Sequence, residues 1–192
     1  QPSLPVVHRT FANPAPLGLL SFATGVFLFS LLGVHARGIQ SQNIIVGVMM
    51  FFGGLCQFIS GIMEFVAGNT FGATLFLSFA ALNMSLAMTE IRLLTSDKAY
   101  SNTDGKVLPE FDEALAMYCW AWLILTVVFT IASIRNSWTL IRALVFFSVE
   151  LLLLAVGHMI RVDGIIIAAN SVGFIVALCA CKCNLPTKIL PC

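Results

Sequence analysis

Apolar residues fall in six long runs separated by short polar breaks. Leu17 to Val34, Phe71 to Thr89, Ala114 to Ile134 and Gly164 to Cys181 hold no charged residue. Ile44 to Ala67 holds Glu64 near its end, and Trp138 to Ile160 holds Arg142, Glu150 and His158. A helix rises about 1.5 Å per residue, so about 20 apolar residues cross a hydrocarbon core of about 30 Å. The pattern predicts an all-α polytopic membrane protein of six transmembrane helices. The longest break, Thr95 to Glu113, carries Asp97, Lys98, Asp104, Gly105, Lys106, Pro109, Glu110 and Asp112 and reads as a solvated loop. Residues 1–12 read as a polar stub, 13–184 as the membrane domain and 185–192 as a tail. The chain lacks an initiator Met, which suggests a trimmed terminus, and its first apolar run is long enough to be a full span rather than a cleavable signal.

The openings of the odd-numbered helices resemble one another. They read Asn13-Pro14-Ala15-Pro16-Leu17-Gly18, Gly68-Asn69-Thr70-Phe71-Gly72 and Arg135-Asn136-Ser137-Trp138. Asn is a good N-cap, and Pro fits the first helical position because its missing N–H costs nothing there. Further along come Ser21-Phe22, Ser78-Phe79 and Ser148-Val149, which lie 9, 10 and 13 residues after Asn13, Asn69 and Asn136. The expected arrangement is three helical hairpins in parallel repeat around a pore in each subunit. Three helix N-termini converging on one side would attract anions without a fixed Lys or Arg. Phe22, Phe79 and Val149 would then form an apolar neck that resists hydrated ions. The plainer reading of the same residues is ordinary core or lipid contact.

Composition narrows the function. Hydrophobic residues make up 59% and charged residues 10%, where soluble domains have about 25% charged. Too few charges remain to cover a soluble enzyme, and disorder is excluded by the same numbers. A net charge of +1 gives no reason to expect nucleic acid. Basic residues split evenly between the two sides. Seven of the nine acids lie on the side away from the termini, and since acids contribute little to orientation this gives only a slight lean toward cytoplasmic termini; the expected location is the plasma membrane. No nucleophile–base set, phosphate loop, metal set or cofactor motif is present, so no enzyme, cofactor or metal is expected.

The residues quoted above carry a family resemblance. Asn13-Pro14-Ala15-Pro16-Leu17-Gly18-Leu19 resembles the signature of the acetate uptake transporter family. Gly53-Gly54, Gln57, Gly61, Glu64 and Gly68-Asn69-Thr70-Phe71-Gly72 resemble its second signature. The resemblance implies six helices per subunit, a homohexamer in the lipid bilayer, and passage of acetate, succinate or other short carboxylates through each subunit. It also places the family's neck on Phe22, Phe79 and Val149. Members are described both as channels and as proton-coupled carriers.

Asn13, Asn69, Thr70, Gln57 and Glu64 are the candidate substrate-binding residues. Capping explains the first three equally well, and Glu64 also fits a place near interfacial water. Glu150 and His158 form a second ionisable pair, since an ionisable residue inside a span is a functional candidate by default. Gly47, Gly54, Gly61 and Gly68 recur every seven residues and invite close helix packing. The cysteines Cys56, Cys119, Cys179, Cys181, Cys183 and Cys192 do not read as a disulfide framework, although the last four suit lipidation. Two rivals stay open, a pore for ammonia or another small neutral solute and a membrane sensor without transport.

Overall fold

The computed structural model describes residues 12–39, 43–94, 109–135 and 137–182. Among them every regular element is helical, and six helices are long and apolar enough to cross a membrane. They are α1 (Ala15–Gly33), α2 (Ile45–Val66), α3 (Thr70–Leu94), α4 (Pro109–Ala132), α5 (Trp138–Ile160) and α6 (Asp163–Lys182). His8, Arg9, Asn136, Cys183, Lys188, Cys192 and the 95–108 part of the charged segment lie outside the described residues.

Local chemistry sets the helix ends. Asn13 Oδ1 accepts from the Ala15 N–H at 3.1 Å. After α2, Gly68 adopts φ +80°. The Asn69 N–H then reaches back to the Glu64 carbonyl at 2.9 Å and the Gly68 N–H to that of Phe65 at 3.0 Å. This is the Schellman arrangement, which favours a glycine at the left-handed position. Arg161 takes the same position after α5, with φ 54°. The charged loop is shorter than its composition suggests. α4 begins at Pro109, with Glu110 and Asp112 in its first turn. Pro at a helix start and acids beside its positive end make those residues helix-forming.

Residues Val48–Cys56 of α2 form a π-helix. Its carbonyls are partly freed from the usual ladder, and the Gly53 carbonyl accepts from Asn83 Nδ2 of α3 at 3.2 Å.

The six helices close into a ring in chain order. α1 packs on α2, α2 on α3, α4 on α5, α5 on α6, and α6 returns to α1. Between α3 and α4, Tyr118 Oη donates to the Leu82 carbonyl at 3.1 Å and lies 2.6 Å from Ser85 Oγ. The Phe129 ring packs edge-on to Phe71 and Phe79. Large apolar side chains such as Phe51, Phe65, Ile124 and Leu178 point outward. Ser21, Gln57, Glu64, Glu150 and Asn170 are buried inside. This inverts a soluble protein and matches a chain solvated by lipid.

The glycine stripe divides. A Cβ at Gly54 would meet Met84 and one at Gly61 would meet Leu77, so these two glycines admit α3 against α2. Gly47 and Gly68 face nothing within 4 Å.

Candidate transport pathway

A cavity of about 480 Å³ lies inside the ring and is lined from all six helices. α1 contributes Phe22, Gly25, Val26 and Phe29, and α5 contributes Phe147, Glu150, Leu151, Leu154 and His158. α3 supplies Leu82, Asn83, Leu86 and Glu90, while α4 supplies Phe111, Leu115, Tyr118 and Cys119. Asn43 and Met49 precede or open α2, and Ile166 and Asn170 belong to α6. Apart from Phe22 and Phe147, which sit close to the middle of α1 and α5, these positions fall from the middle of the ring to its end away from the chain termini. The cavity thus runs from a rim with Asn43, Glu90 and His158 to a floor at Phe22 and Phe147. Among the described residues of this lining there is no Lys or Arg.

The floor is a cluster of phenylalanines. Phe22 stacks on Phe79 with centroids 5.2 Å apart and an interplanar angle of 22°. Phe147 meets Phe22 edge-on at 5.1 Å and Phe79 at 5.5 Å, and Phe129 meets Phe79 at 5.8 Å. Phe79 is 1% exposed and sits behind the floor. Such ring pairs add about 0.5–1.5 kcal/mol each beyond area burial.

Val149 does not join the cluster. It is 39% exposed on the outer surface of the subunit, and Phe147 stands in its place. Two residues along a helix is a rotation of about 200°, so both cannot face inward. The spacing held a signal for this, because Phe147 lies 11 residues after Asn136 and fits the 9 and 10 of the other copies better than 13.

Asn13, Asn69, Thr70, Gln57 and Glu64 lie apart from the lining of this cavity. Asn13 is exposed at the start of α1, and exposed Thr70 uses its carbonyl to accept from the Thr74 hydroxyl at 2.8 Å. Asn69 caps α3 by accepting from the Gly72 N–H at 3.1 Å, and its Nδ2 donates to Glu64 Oε2 at 2.5 Å. Glu64 is buried, and its Oε1 has no partner. Gln57 is fully buried and accepts from Asn83 Nδ2 at 3.1 Å. The structure therefore joins Asn69 to Glu64 and Gln57 to Asn83, and leaves Asn13 and Thr70 separate. On the terminal side, Ser60 Oγ donates to the Pro14 carbonyl at 2.7 Å, tying α2 to the start of α1.

Glu150 and His158 both face the cavity. His158 Nδ1 lies 3.2 Å from Asp112 Oδ1, and Arg161 donates to Glu113 at 2.9 Å, so α4 and α5 are joined at the rim. Sequence reading missed Asn83 and Asn170 in the cavity wall and the buried Ser30 beside Glu150. Asn83 is buried within α3. A polar residue within an apolar run was the available signal. Cys119 is buried in the cavity wall, while Cys56, Cys179 and Cys181 are partly buried. Among the described residues no three His, Cys, Asp or Glu side chains gather as a metal site would need.

This architecture has relatives. The glyoxylate pathway regulator of Yarrowia lipolytica is 34% identical over 173 residues, 90% of this chain and 62% of that protein. Ammonia transport outward protein 2 of Saccharomyces cerevisiae is 33% identical over 174 residues, 91% of this chain and 60% of that protein. The chain thus spans about three fifths of the length of these two relatives. The structure of the bacterial acetate channel SatP matches with a TM-score of 0.78 at 26% identity, covering 95% of this chain and 99% of that one. The sequence pattern of one family runs from residue 1 to residue 185, across all six helices of the ring, and the chain belongs to that family, GPR1/FUN34/yaaH.

Proposed function

We propose that this chain is a membrane pathway for acetate and related short carboxylates, running along the axis of each six-helix subunit. The observation that carries this reading is the cavity walled by every helix and floored by Phe22, Phe147 and, behind them, Phe79. The likeness to a bacterial acetate channel supports the same cargo. Small solutes gather in the largely apolar cavity with its few polar groups and lose water at the phenylalanines, which part to let them pass. An apolar constriction of this kind works against hydrated ions and in favour of compact, weakly hydrated cargo. We further propose a homohexamer in the plasma membrane with cytoplasmic termini.

A second reading, a pore for ammonia, is favoured by one observation. Among the described residues the cavity wall holds Glu90 and Glu150 and no Lys or Arg. The two cargoes are separated by reconstituting the protein and comparing labelled acetate influx with ammonium-driven pH change inside the vesicles. Saturable acetate influx blocked by cold acetate supports the first reading. Ammonium-linked pH change without acetate influx replaces it with the second.

A further inference from the structure

Glu150 stands where α1, α5 and α6 meet at the cavity wall, 12 residues from the start of α5 and 10 from its end. At about 1.5 Å per residue this is mid-membrane. The residue is 1% exposed, and its Oε2 has no partner. Two other buried polar atoms nearby share that condition. Ser30 Oγ of α1 is unpartnered, and a Cβ built on Gly173 of α6 would strike both it and the Glu150 carboxylate. One turn along α6, Asn170 commits Nδ2 to the Ile166 carbonyl at 2.8 Å and leaves Oδ1 unpartnered. The site is thus rich in acceptors, with the Ser30 hydroxyl as its one spare donor.

Among the described residues no cation balances the carboxylate: none of those lining the cavity is Lys or Arg, and His158, two turns away on α5, is engaged by Asp112. From α1 and α6 the groups beside Glu150 are Ser30 and Gly173, with Asn170 in the same cavity wall, and none of them titrates. From α4 the titratable neighbour is Cys119. Glu90 of α3 lines the same cavity nearer the rim. A bare carboxylate left among these groups is strongly disfavoured, because burial penalises an unpaired charge.

We propose that Glu150 is a proton-binding site in the wall of this pathway, with Ser30 as its hydrogen-bonding neighbour, and that it exchanges the proton with the cavity. Uptake breaks an O–H bond of a hydronium ion at the aqueous rim and forms one on a Glu150 oxygen, and release reverses both changes. The buried group is neutral when loaded, so the wall presents no fixed negative charge at the level of the phenylalanine floor. The link to cargo rests on the transport reading above, whereas the proton site itself does not.

Infrared spectroscopy of the purified protein in lipid tests the site directly. The wild type should show a protonated carboxylic C=O band at neutral pH. Glu150→Gln should remove it, and Glu113→Gln, a change at an exposed rim residue, should keep it. A band that survives Glu150→Gln, or a Glu150 carboxylate signal that is ionised and shifts with sodium, overturns the proposal. In proteoliposomes, acetate influx should rise severalfold on external acidification. Glu150→Gln should flatten that rise, and Glu150→Asp should restore it. A Glu150→Gln variant with the wild-type pH profile overturns the exchange. Loss of the band in Glu150→Gln, together with no wild-type acetate influx, supports the proton site and removes the carboxylate reading instead.

Discussion

Asn170 on α6 fills the space that a Cβ on Gly33 of α1 would need, and three residues along each helix Ser30 fills the space of a Cβ on Gly173. The two helices run antiparallel, so Ser30-Leu31-Leu32-Gly33 and Asn170-Ser171-Val172-Gly173 mesh as reciprocal pairs of one small and one polar residue. Association in lipid depends on such close approach, because apolar contact alone gains little over lipid tails. This pairing closes the helix ring.

Adding one methyl group at either glycine should therefore open the α1–α6 seam. Gly33→Ala and Gly173→Ala should each cost about 1–3 kcal/mol, the usual range for overpacking. Gly47→Ala, where a Cβ meets nothing within 4 Å, should be nearly neutral. Thermal melting of the detergent-purified variants checks the order. Equal melting temperatures for all three would contradict the seam.

Phe147 rather than Val149 should govern the constriction. Phe147→Ala removes a ring that touches both Phe22 and Phe79. It should raise influx of a longer carboxylate such as butyrate relative to acetate by several-fold. Val149→Ala, on the outer face, should leave that ratio within about twofold, since surface changes away from such features are small. Truncating a buried Phe costs about 3–5 kcal/mol in a packed core, so Phe147→Leu serves as the milder variant. An unchanged ratio in both Phe147 variants, with Val149→Ala altering it, would return the neck to the outer residue.

The six spans were legible in the sequence because hydropathy over about 20 residues depends only on composition. Phe22 and Phe79 were legible as a recurring position, since similar helix openings put similar residues at similar depth. The third copy was not, because depth and facing are separate quantities and a two-residue slip reverses the facing. The cavity also extends from mid-ring toward the end opposite the N-termini of α1, α3 and α5. Asn13 and Asn69 spend their side chains on their own first turns, and Ser60 is bonded to Pro14. A dipole argument sees the end of a helix but not what already occupies it.

Asn69 separates capping from solute contact. Its two side-chain bonds hold the α3 N-terminus and the buried Glu64. Asn69→Ala should cost about 1 kcal/mol for the cap and more for the carboxylate left buried without its donor. Asn69→Asp keeps the capping acceptor but sets a second carboxyl against Glu64, so it should be at least as damaging to stability. If both variants, where folded, keep the wild-type concentration dependence of acetate influx, the residue is structural. A raised half-saturation with unchanged melting would instead place solute at this end of α3.

Asn83 ties the π-helical stretch of α2 to α3 at the cavity wall. Its two N–H bonds are shared among the carbonyls of Gly53 and Phe79 and the Gln57 side chain, at 3.2, 3.0 and 3.1 Å. Gln57 Nε2 already lacks a partner, so removing the amide would strand a second polar atom of the same buried side chain. Asn83→Leu should cost about 1–3 kcal/mol for the acceptors left unmet. Part of that loss should return in a Gln57→Leu, Asn83→Leu double variant, where both partners are gone together. Asn83→Asp exchanges the donor for acceptors facing three existing acceptors, and should melt lowest of the set. A double-mutant cycle on melting free energies reads the coupling. Zero coupling between positions 57 and 83 would mean that the amide clamp adds nothing to the helix pair. The π-helix would then rest on the glycines of α2 alone.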